Sequence, residues 1–494
     1  MEIILSGYNI DSDIIKELAE QSSPRNDITP ETLSAAYARI SRDPRPINEL
    51  RAQARKEVAR SRKSNKAIIF KMGHHSVAEH AVFNFDIIGV SRLAMEEIEH
   101  FRLCSYTEKS QRYITLGNDF VLPREIKNSG DRDLFRATVE AQNDLYHLLH
   151  TKIYQYIRDR DPGSVDNPNK INLIDGKAKE DARYITCLAA QGQVGLTINA
   201  RNLELLLRRF AGHPLSEIRE IGKRLWQLVK DVAPSIILFY NSNDYDMKTY
   251  ADLRATVAGG DIGEPAKTAG DDVRLAAYTE DADNMLLAAL VHSSSNLDFE
   301  QCLRAVRGWD SGRKRELIKT ACRRMEFYDS VLREFENINL TYDLIVSASC
   351  FAQMKRHRMA VITGQTYDLG LGVTIPKTIQ EVGMKDQFTC IIKKTEDAYL
   401  KIAAFAPKAA SYILTNGHRK RILFTCNVRE LYHISRQRED LHAQWDIRQV
   451  AGKMIDLAKK IMPLTMMLAG GKDRYPGIYE EVYGDLPKII ETGG

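Results

Sequence analysis

The chain repeats itself, and the two copies have kept different residues. Around Arg102 it reads H-F-R-L-C-S-Y-T-E-K-S-Q-R-Y and continues to L-G-N-D-F-V-L-P; around Arg358 it reads R-H-R-M-A-V-I-T-G-Q-T-Y and continues to L-G-L-G-V-T-I-P. A second pair of blocks follows in the same order, T-I-N-A-R-N-L from Thr197 to Leu203 and T-C-N-V-R-E-L from Thr425 to Leu431. Ordered blocks recurring at a spacing of about half the chain are the sign of a duplicated domain, since self-similarity at a fixed period marks repeated structural units. The first copy keeps the serines and arginine of S-Y-T-E-K-S-Q-R-Y, and the second keeps the arginine-histidine-arginine run. That is the pattern of one working site divided between two halves.

Length and composition agree with two domains. A chain of 494 residues, 44% of them hydrophobic, can bury more than one core. The 70 basic and 66 acidic residues leave a net charge of only +4, which is no nucleic-acid signature, so any anionic ligand has to be sought in local clusters. The seven cysteines, Cys104, Cys187, Cys302, Cys322, Cys350, Cys390 and Cys426, form no C-x-x-C pair, which argues against a zinc site or a disulfide framework and for a reducing compartment. The opening M-E-I-I-L-S-G-Y has no basic region before a long apolar stretch, and no apolar run approaches 18 residues. The expectation is a cytoplasmic protein with no membrane contact.

Glycine, proline and charge concentrate without helical periodicity between Tyr240 and Asp272, so the expected division is a first domain over 1–245, a linker over 246–272 and a second domain over 273–494. A loop-like insert from Pro162 to Gly176 has no counterpart in the second half. Strands are expected over Ala81 to Val90 and Ile338 to Val346, each followed by a helix that carries the motif late and passes into a loop. Long helices over Leu203 to Val229 and Leu441 to Ile461 close the halves. The resulting fold class is α+β: two homologous domains, each an antiparallel sheet packed with helices, related by pseudo-two-fold symmetry.

On such a helix Gln353, Arg356 and His357 fall at i, i+3 and i+4 and share a face, while Arg358 points elsewhere. A guanidinium pairs with phosphate through two parallel bonds, and an imidazole can stack or donate, so the face suits a phosphorylated planar ligand. A solvated basic face reads the same way when R-H-R stands alone. Glu108 to Arg112, E-K-S-Q-R, sets carboxylate, hydroxyl and guanidinium at alternating positions in an expected loop whose backbone N–H groups can also face a phosphate. Upstream, G-H-H-S-V-A-E-H from Gly73 to His80 clusters three histidines, a serine and a glutamate, but without a zinc motif around them. Its reading is hydrogen bonding to a ligand or to the core, with no metal.

Several of these blocks together, in order, resemble the flavin-dependent thymidylate synthase family, which methylates dUMP using FAD, methylenetetrahydrofolate and NADPH. The family's GH-x-x-x-x-EH segment, serine motif and T-x-N-A-R block match the first half; its R-H-R run, T-x-N-x-R block and the H-A-Q-W-D-I segment from His442 to Ile447 match the second. The family works as a homotetramer with nucleotide sites between subunits, so the resemblance implies a homodimer of this duplicated chain. It further implies that Gln353 and Arg356 bind dUMP from the second half. Arg438 would polarise the uracil, and Glu108, Ser110, Gln111, Arg112 and Arg183 would bind the nucleotide from the first half. FAD would be held by Arg356, His357, Arg358, Asn427, Arg429 and His433, with His74, Ser76 and Glu79 from a first half; no cysteine nucleophile is implied.

The opposite pairing of halves fails on both sides. Glu97, His100 and Phe101 stand at the glutamine, arginine and histidine positions, and Phe210 at that of Arg438; Gly364, Gln365, Thr366 and Ser411 replace the nucleotide loop and Arg183. Val361 for the polar residue that is Ser105 in the first half, and Val428 for the alanine of N-A-R, alter the shape of the flavin pocket. Flavin-dependent modification of another pyrimidine nucleotide, for example hydroxymethylation, needs the same activation of C5. A non-catalytic nucleotide or flavin-binding regulator would have no need of Arg438.

Overall fold

The computed structural model describes residues 1–11, 13–14, 28–39, 43–71, 73–112, 114–160, 168–260, 271–326 and 329–487. Tyr113, at the end of the first motif, and the stretches 161–167 and 261–270 of the expected insert and linker lie outside them. Among these residues the first half holds strands β1 (Glu2–Tyr8), β2 (Val82–Ser91), β3 (Cys104–Glu108) and β4 (Gln191–Asn199). Its helices are α1 (Glu31–Arg39), α2 (Ile47–Lys56), α3 (Val58–Lys66), α4 (Arg92–Ile98), α5 (Ser129–Arg160), α6 (Pro168–Ala182), α7 (Ala200–Ala211), α8 (Ser216–Val229) and α9 (Asp244–Ala258). The second half holds β5 (Val273–Tyr278), β6 (Asn339–Ser347), β7 (Val361–Gly364) and β8 (Arg419–Asn427), with α10 (Ala282–Ser293), α11 (Phe299–Arg307), α12 (Ser311–Cys322), α13 (Ala348–Met354), α14 (Lys377–Glu381), α15 (Lys385–Ala403), α16 (Val428–Arg438), α17 (Trp445–Ile461) and α18 (Tyr475–Tyr483).

Both sheets are antiparallel and run in the same order, β1-β2-β4-β3 and β5-β6-β8-β7. The α+β class expected from the sequence is therefore what the chain forms. Register proves the duplication position by position. Ser105 pairs with Thr197, and Val361 with Thr425; Val82 pairs with Asn199, and Asn339 with Asn427. The copies fall out of step at Gly89, a bulge with φ of 69° that gives β2 one residue more than β6. A glycine there adopts the left-handed conformation that other residues resist, and the copies come back into step at Ser91 and Ser347. Each serine caps the following helix, accepting from the N–H of Ala94 or Cys350 at 2.9 Å. Each also donates its hydroxyl to a buried carboxylate, Glu217 (2.7 Å) or Asp446 (2.6 Å).

In unit 2, which comprises Ala266–Ile375 and Asn416–Gly494, alternate residues of the central strands, Leu340, Tyr342, Leu344 and Val346 with Ile422, Phe424 and Cys426, face one core. Leu431 and Ile434 of α16 and Ile447, Met454 and Ile455 of α17 cover it. Period-2 strands against period-3.6 helices leave the other sheet face for polar pairs, such as Thr341 with Thr425 at 2.9 Å.

Unit 1 comprises Met1–Pro265 and, from the second half of the sequence, Pro376–Thr415. The compact units thus do not follow the halves. Gln142 of α5, fully buried, donates its amide to Thr395 Oγ1 of α15 (2.7 Å) and to the Ile413 carbonyl (3.0 Å). Leu188 and Ala189 N–H groups donate to the Leu414 and Tyr412 carbonyls at 2.8 Å, and Cys187 bridges Thr415. These are equivalent stretches of the two copies paired with each other.

Outside the motifs, three segments depart most from the sequence reading. The expected linker contains α9, capped by Asn243 in a two-way box with Asp246, and none of its residues is buried; its apolar residues are spread around the helix, so no periodic stripe announced it. The expected insert loop becomes α6 from Pro168, with a proline at the helix start where its missing N–H costs nothing. The helix expected over Leu203 to Val229 is two, α7 and α8, broken at Gly212 to Leu215.

His213 in that break is mostly buried; its Nδ1 accepts from the Leu215 N–H at 3.2 Å, and its Nε2 lies 3.8 Å from Glu97. Burial, then Arg219 and Lys408, push its pKa down to about 4, against the pull of the Leu215 hydrogen bond and Glu125. The unfolded chain, with an ordinary histidine near 6.5, binds the extra proton first, so the neutral side chain's stabilisation is present above that pH and is lost as pH falls toward 4. Wild type should lose about 2 kcal/mol more than His213→Asn between pH 7 and pH 5 in urea denaturation.

Candidate active site

The second-half motif lies where β6 turns into β7. Helix α13 is short, because its cap is fixed at Ser347 and the chain must reach β7 beside β8; it ends at Met354, with Lys355 as its C-cap. Gln353, Arg356 and His357 therefore do not share a helix face. Beyond the helix the run alternates: Gln353 and His357 are buried, whereas Arg356 and Arg358 are exposed on either side of the histidine.

His357 joins the motif to α16. Its Nε2 accepts from Arg438 Nε at 2.9 Å, and its Nδ1 lies 3.3 Å from Glu430 Oε1. An imidazole that accepts at Nε2 carries its proton on Nδ1, so the network assigns the neutral tautomer donating to Glu430. Burial holds its pKa below the usual histidine value, Glu430 opposes this, and Arg438 adds to it. The histidine thus positions the Arg438 guanidinium while staying uncharged itself. His433, one turn along α16, is exposed and meets the His357 ring edge-on at 5.9 Å. Gln353 donates to Gln444 at 3.2 Å, and Gln444 is the N-cap of α17.

Asn427 and Arg429 have structural partners. Asn427 caps α16 by accepting from the Glu430 N–H at 2.8 Å, as Asn199 caps α7 by accepting from Asn202 at 3.0 Å. Arg429 donates to the Val331 carbonyl (2.9 Å) and to Glu336 (2.7 Å). The same bond recurs in the first half between Arg201 and Glu79 at 2.5 Å. T-x-N-x-R is thus first a device for starting a helix and tying it to the segment before the central strand. His74 and Ser76, beside Glu79, are exposed.

In unit 1 the residues from Glu108 to Arg112 lie near Arg92, Glu180 and Arg183. Glu108 is the last residue of β3 rather than a loop residue, because β3 pairs with β4 as far as Val194. Its carboxylate binds Arg92 of α4, and both side chains are nearly buried. Arg112 donates from Nε to Glu180 of α6 at 2.5 Å, and its own N–H meets the Ser110 hydroxyl at 3.1 Å. Arg183 is buried in the 3-10 turn after α6. Burial lowers its pKa from the usual arginine value, Glu180 opposes this, and Arg112 and Arg92 add to it. Among the described residues Arg92, Arg112 and Arg183 thus lie within electrostatic reach of one another, with Glu108 and Glu180 paired to two of them. Gln111, in the turn after β3, is half-buried.

Arg92 and Glu180 were missed by the sequence reading. Both carry a signal it could have used: the second copy has Ala348 and Lys408 at those positions, so the charges survive in one half only. The equivalent first-half positions make a different contact. Where unit 2 has the His357 to Arg438 hydrogen bond, unit 1 has Phe101 against Phe210, ring centroids 5.9 Å apart at 72°. Phe210 sits so close to α8 that a Cβ on Gly222 would come within 2.8 Å of its own. Cys104 is buried on β3, in line with a packing role.

The thymidylate synthase complementing protein family, Thy1, matches residues 26–235 and again 274–464. The chain belongs to this family, in two tandem copies. A flavin-dependent thymidylate synthase of Geobacter sulfurreducens is 33% identical over 174 residues, 34% of this chain and 65% of that protein, so the match spans just under two thirds of that relative. One from Clostridium tetani is 29% identical over 215 residues, 42% of this chain and 82% of that protein. A UPF0159 protein of Thermoplasma acidophilum is 22% identical over 508 aligned positions, 94% of this chain and 99% of that one. Among solved structures, a UMP/dUMP methylase PolB from Streptomyces cacaoi bound with 5-Br dUMP gives a TM-score of 0.34 at 19% identity, over 39% of this chain and 92% of that one. Among the described residues no helix is long and apolar enough to cross a membrane.

Proposed function

We propose that the protein methylates dUMP to dTMP as a flavin-dependent thymidylate synthase, with methylenetetrahydrofolate as the one-carbon donor and NADPH as the reductant, in the cytoplasm and as a homodimer. One kind of working site would draw the base-polarising residues from unit 2 and the phosphate-binding residues from unit 1, and the other combination would be retired. The observation that carries this reading is the exchange of the His357 and Arg438 pair for Phe101 and Phe210. A protein that merely bound nucleotide would have no use for a positioned guanidinium in one copy and a ring in the other. The family membership and the relatives' printed names support the same chemistry.

In this reading Arg183 and Arg112 hold the phosphate by charge-assisted bonds, with Ser110 and Gln111 beside them. Arg438, its plane set by neutral His357, stabilises negative charge developing on the uracil oxygen and N3, which makes C5 nucleophilic. Gln353, set by Gln444, holds the base in register. The residues fit a flavin, since Arg356, Arg358 and His433 stand outward around the buried histidine; His74, Ser76 and Glu79 would complete its site. Bound flavin would supply the hydride that completes the methyl group, and the protein supplies position and charge.

Release of the C5 proton from dUMP by the purified protein, with and without reduced FAD, tests this directly. Release that needs both the folate and flavin and gives dTMP supports it. A hydroxymethylated product would favour the modification reading, and no release in flavin-loaded protein would contradict both.

A further inference from the structure

Arg438 is the last residue of α16, and the turn that carries it is contacted by residues 470–483, which lie beyond the family match ending at residue 464. We propose that this segment is a positioning clamp for Arg438, and that Gly471 and Arg474 set where its guanidinium stands. The inference rests on the proposed function in taking Arg438 as the residue that polarises the base. Glu439, the C-cap of α16, is buried. Its carboxylate accepts from the Ser435 hydroxyl one turn back and from the guanidinium of Arg474, the N-cap residue of α18.

Both charges stand at unfavourable helix ends. A carboxylate at a C-terminus faces the negative end of the helix dipole, and a guanidinium at an N-terminus faces the positive end. Each is stabilised here by the other, and a buried carboxylate that lost its cation would turn outward or take up a proton, releasing the Ser435 hydroxyl. Gly471 fixes the approach. A Cβ there would come within 2.8 Å of the Asp440 nitrogen and the Glu439 carbonyl carbon, backbone atoms that cannot swing aside. Arg436, two residues before Arg438, lies over the Tyr475 ring at 3.5 Å. Further along α18, Tyr479 and Tyr483 donate their hydroxyls to the Arg323 and Lys319 carbonyls at 2.5 and 2.9 Å, so the clamp is anchored on the end of α12 as well as on α16.

The first copy lacks the charged tie. The strand register places Leu207, Ala211 and Gly212 at the positions of Ser435, Glu439 and Asp440. Neither the buried carboxylate nor the hydroxyl it holds is present where Phe210 stands in place of the arginine. The close approach is reversed as well: there the glycine is on the helix side, and a Cβ on Gly212 would meet Ser242 Oγ of the crossing segment at 2.6 Å. Close packing is thus common to both copies, whereas the carboxylate and its guanidinium occur beside Arg438.

The test compares Arg474→Ala, Arg474→Lys and Gly471→Ala in full-length, flavin-loaded protein, with Arg474→Ala also made in the Arg438→Ala background. Arg474→Ala should lower the single-turnover rate of C5-proton release from dUMP about tenfold, with the dissociation constant for dUMP changed by less than about twofold, and Arg474→Lys should restore most of the rate. Gly471→Ala should act in the same direction. In the Arg438→Ala background Arg474→Ala should have no further effect, because its influence passes through that side chain. Hydrogen exchange over residues 428–444 gives a readout that needs no turnover: Arg474→Ala should speed exchange at the end of α16, and Arg474→Lys should not. Additive losses in the Arg438→Ala background, or unchanged exchange in Arg474→Ala, would overturn the inference. A wild type inactive on dUMP, with faster exchange in Arg474→Ala, would contradict the proposed function and leave the clamp standing.

Discussion

Arg438→Ala should lower dUMP turnover by roughly 10²–10³-fold, with a much smaller change in the dissociation constant for dUMP. The guanidinium is proposed to meet charge that develops only as the base is activated, so its loss falls on the transition state more than on the ground state. Single-turnover kinetics with flavin-loaded protein would show it, together with equilibrium dialysis for binding. His357→Phe, which installs the first-half residue, removes the acceptor that fixes the Arg438 plane. It should reduce turnover in the same direction by a smaller factor, about tenfold, with Arg438 still present. A variant at Arg438 that binds dUMP poorly but turns it over at the normal rate would make this arginine a phosphate ligand rather than a polariser.

Arg92→Ala should destabilise unit 1 by about 3–5 kcal/mol, because it leaves the Glu108 carboxylate in a nearly buried place without its partner. Removing both charges in an Arg92→Met, Glu108→Gln variant should recover most of that loss, since the penalty lies in the unpaired ion and not in the absence of the pair. Urea denaturation of the wild type and the two variants makes the comparison. Equal destabilisation by the single and double changes would show that the pair is worth its full Coulomb energy and that the burial argument is wrong. Neither effect depends on the enzyme's chemistry, so this pair tests the structural half of the account separately.

Of the eight strands among the described residues, β2 and β6 were legible in the sequence to within about one residue, because alternation of apolar and polar side chains is a local property; Val82–Ser91 and Asn339–Ser347 are the expected segments moved by one, whereas β3 and β7 form where a helix passing into a loop was expected. The duplication was legible for the same reason, and the register of β3 and β7 on their neighbours confirms the equivalence of Ser105 with Val361. What the sequence hid was non-local. Periodicity says that one face of α15 is buried, but not that Gln142 of the other half meets it, so the passage of Pro376–Thr415 into unit 1 could not be read. Helix α13 ended early because strand pairing downstream claimed its residues, which turned a supposed face of Gln353, Arg356 and His357 into an alternation of buried and exposed side chains. Asn427 and Arg429 were marked as ligand-contacting residues on resemblance, and their immediate physical work is capping α16 and pairing with Glu336.

Equilibrium dialysis of dUMP against the flavin-loaded protein, counted per chain, tests the central claim that the two copies divide one working site between them. The account predicts one nucleotide per chain. Binding should weaken roughly 10-fold to 150-fold in Arg183→Ala and in Arg356→Ala alike, although the two residues belong to different units, and it should be unchanged in Ser411→Ala. Two nucleotides per chain, or equal sensitivity at Ser411 and Arg183, would contradict it.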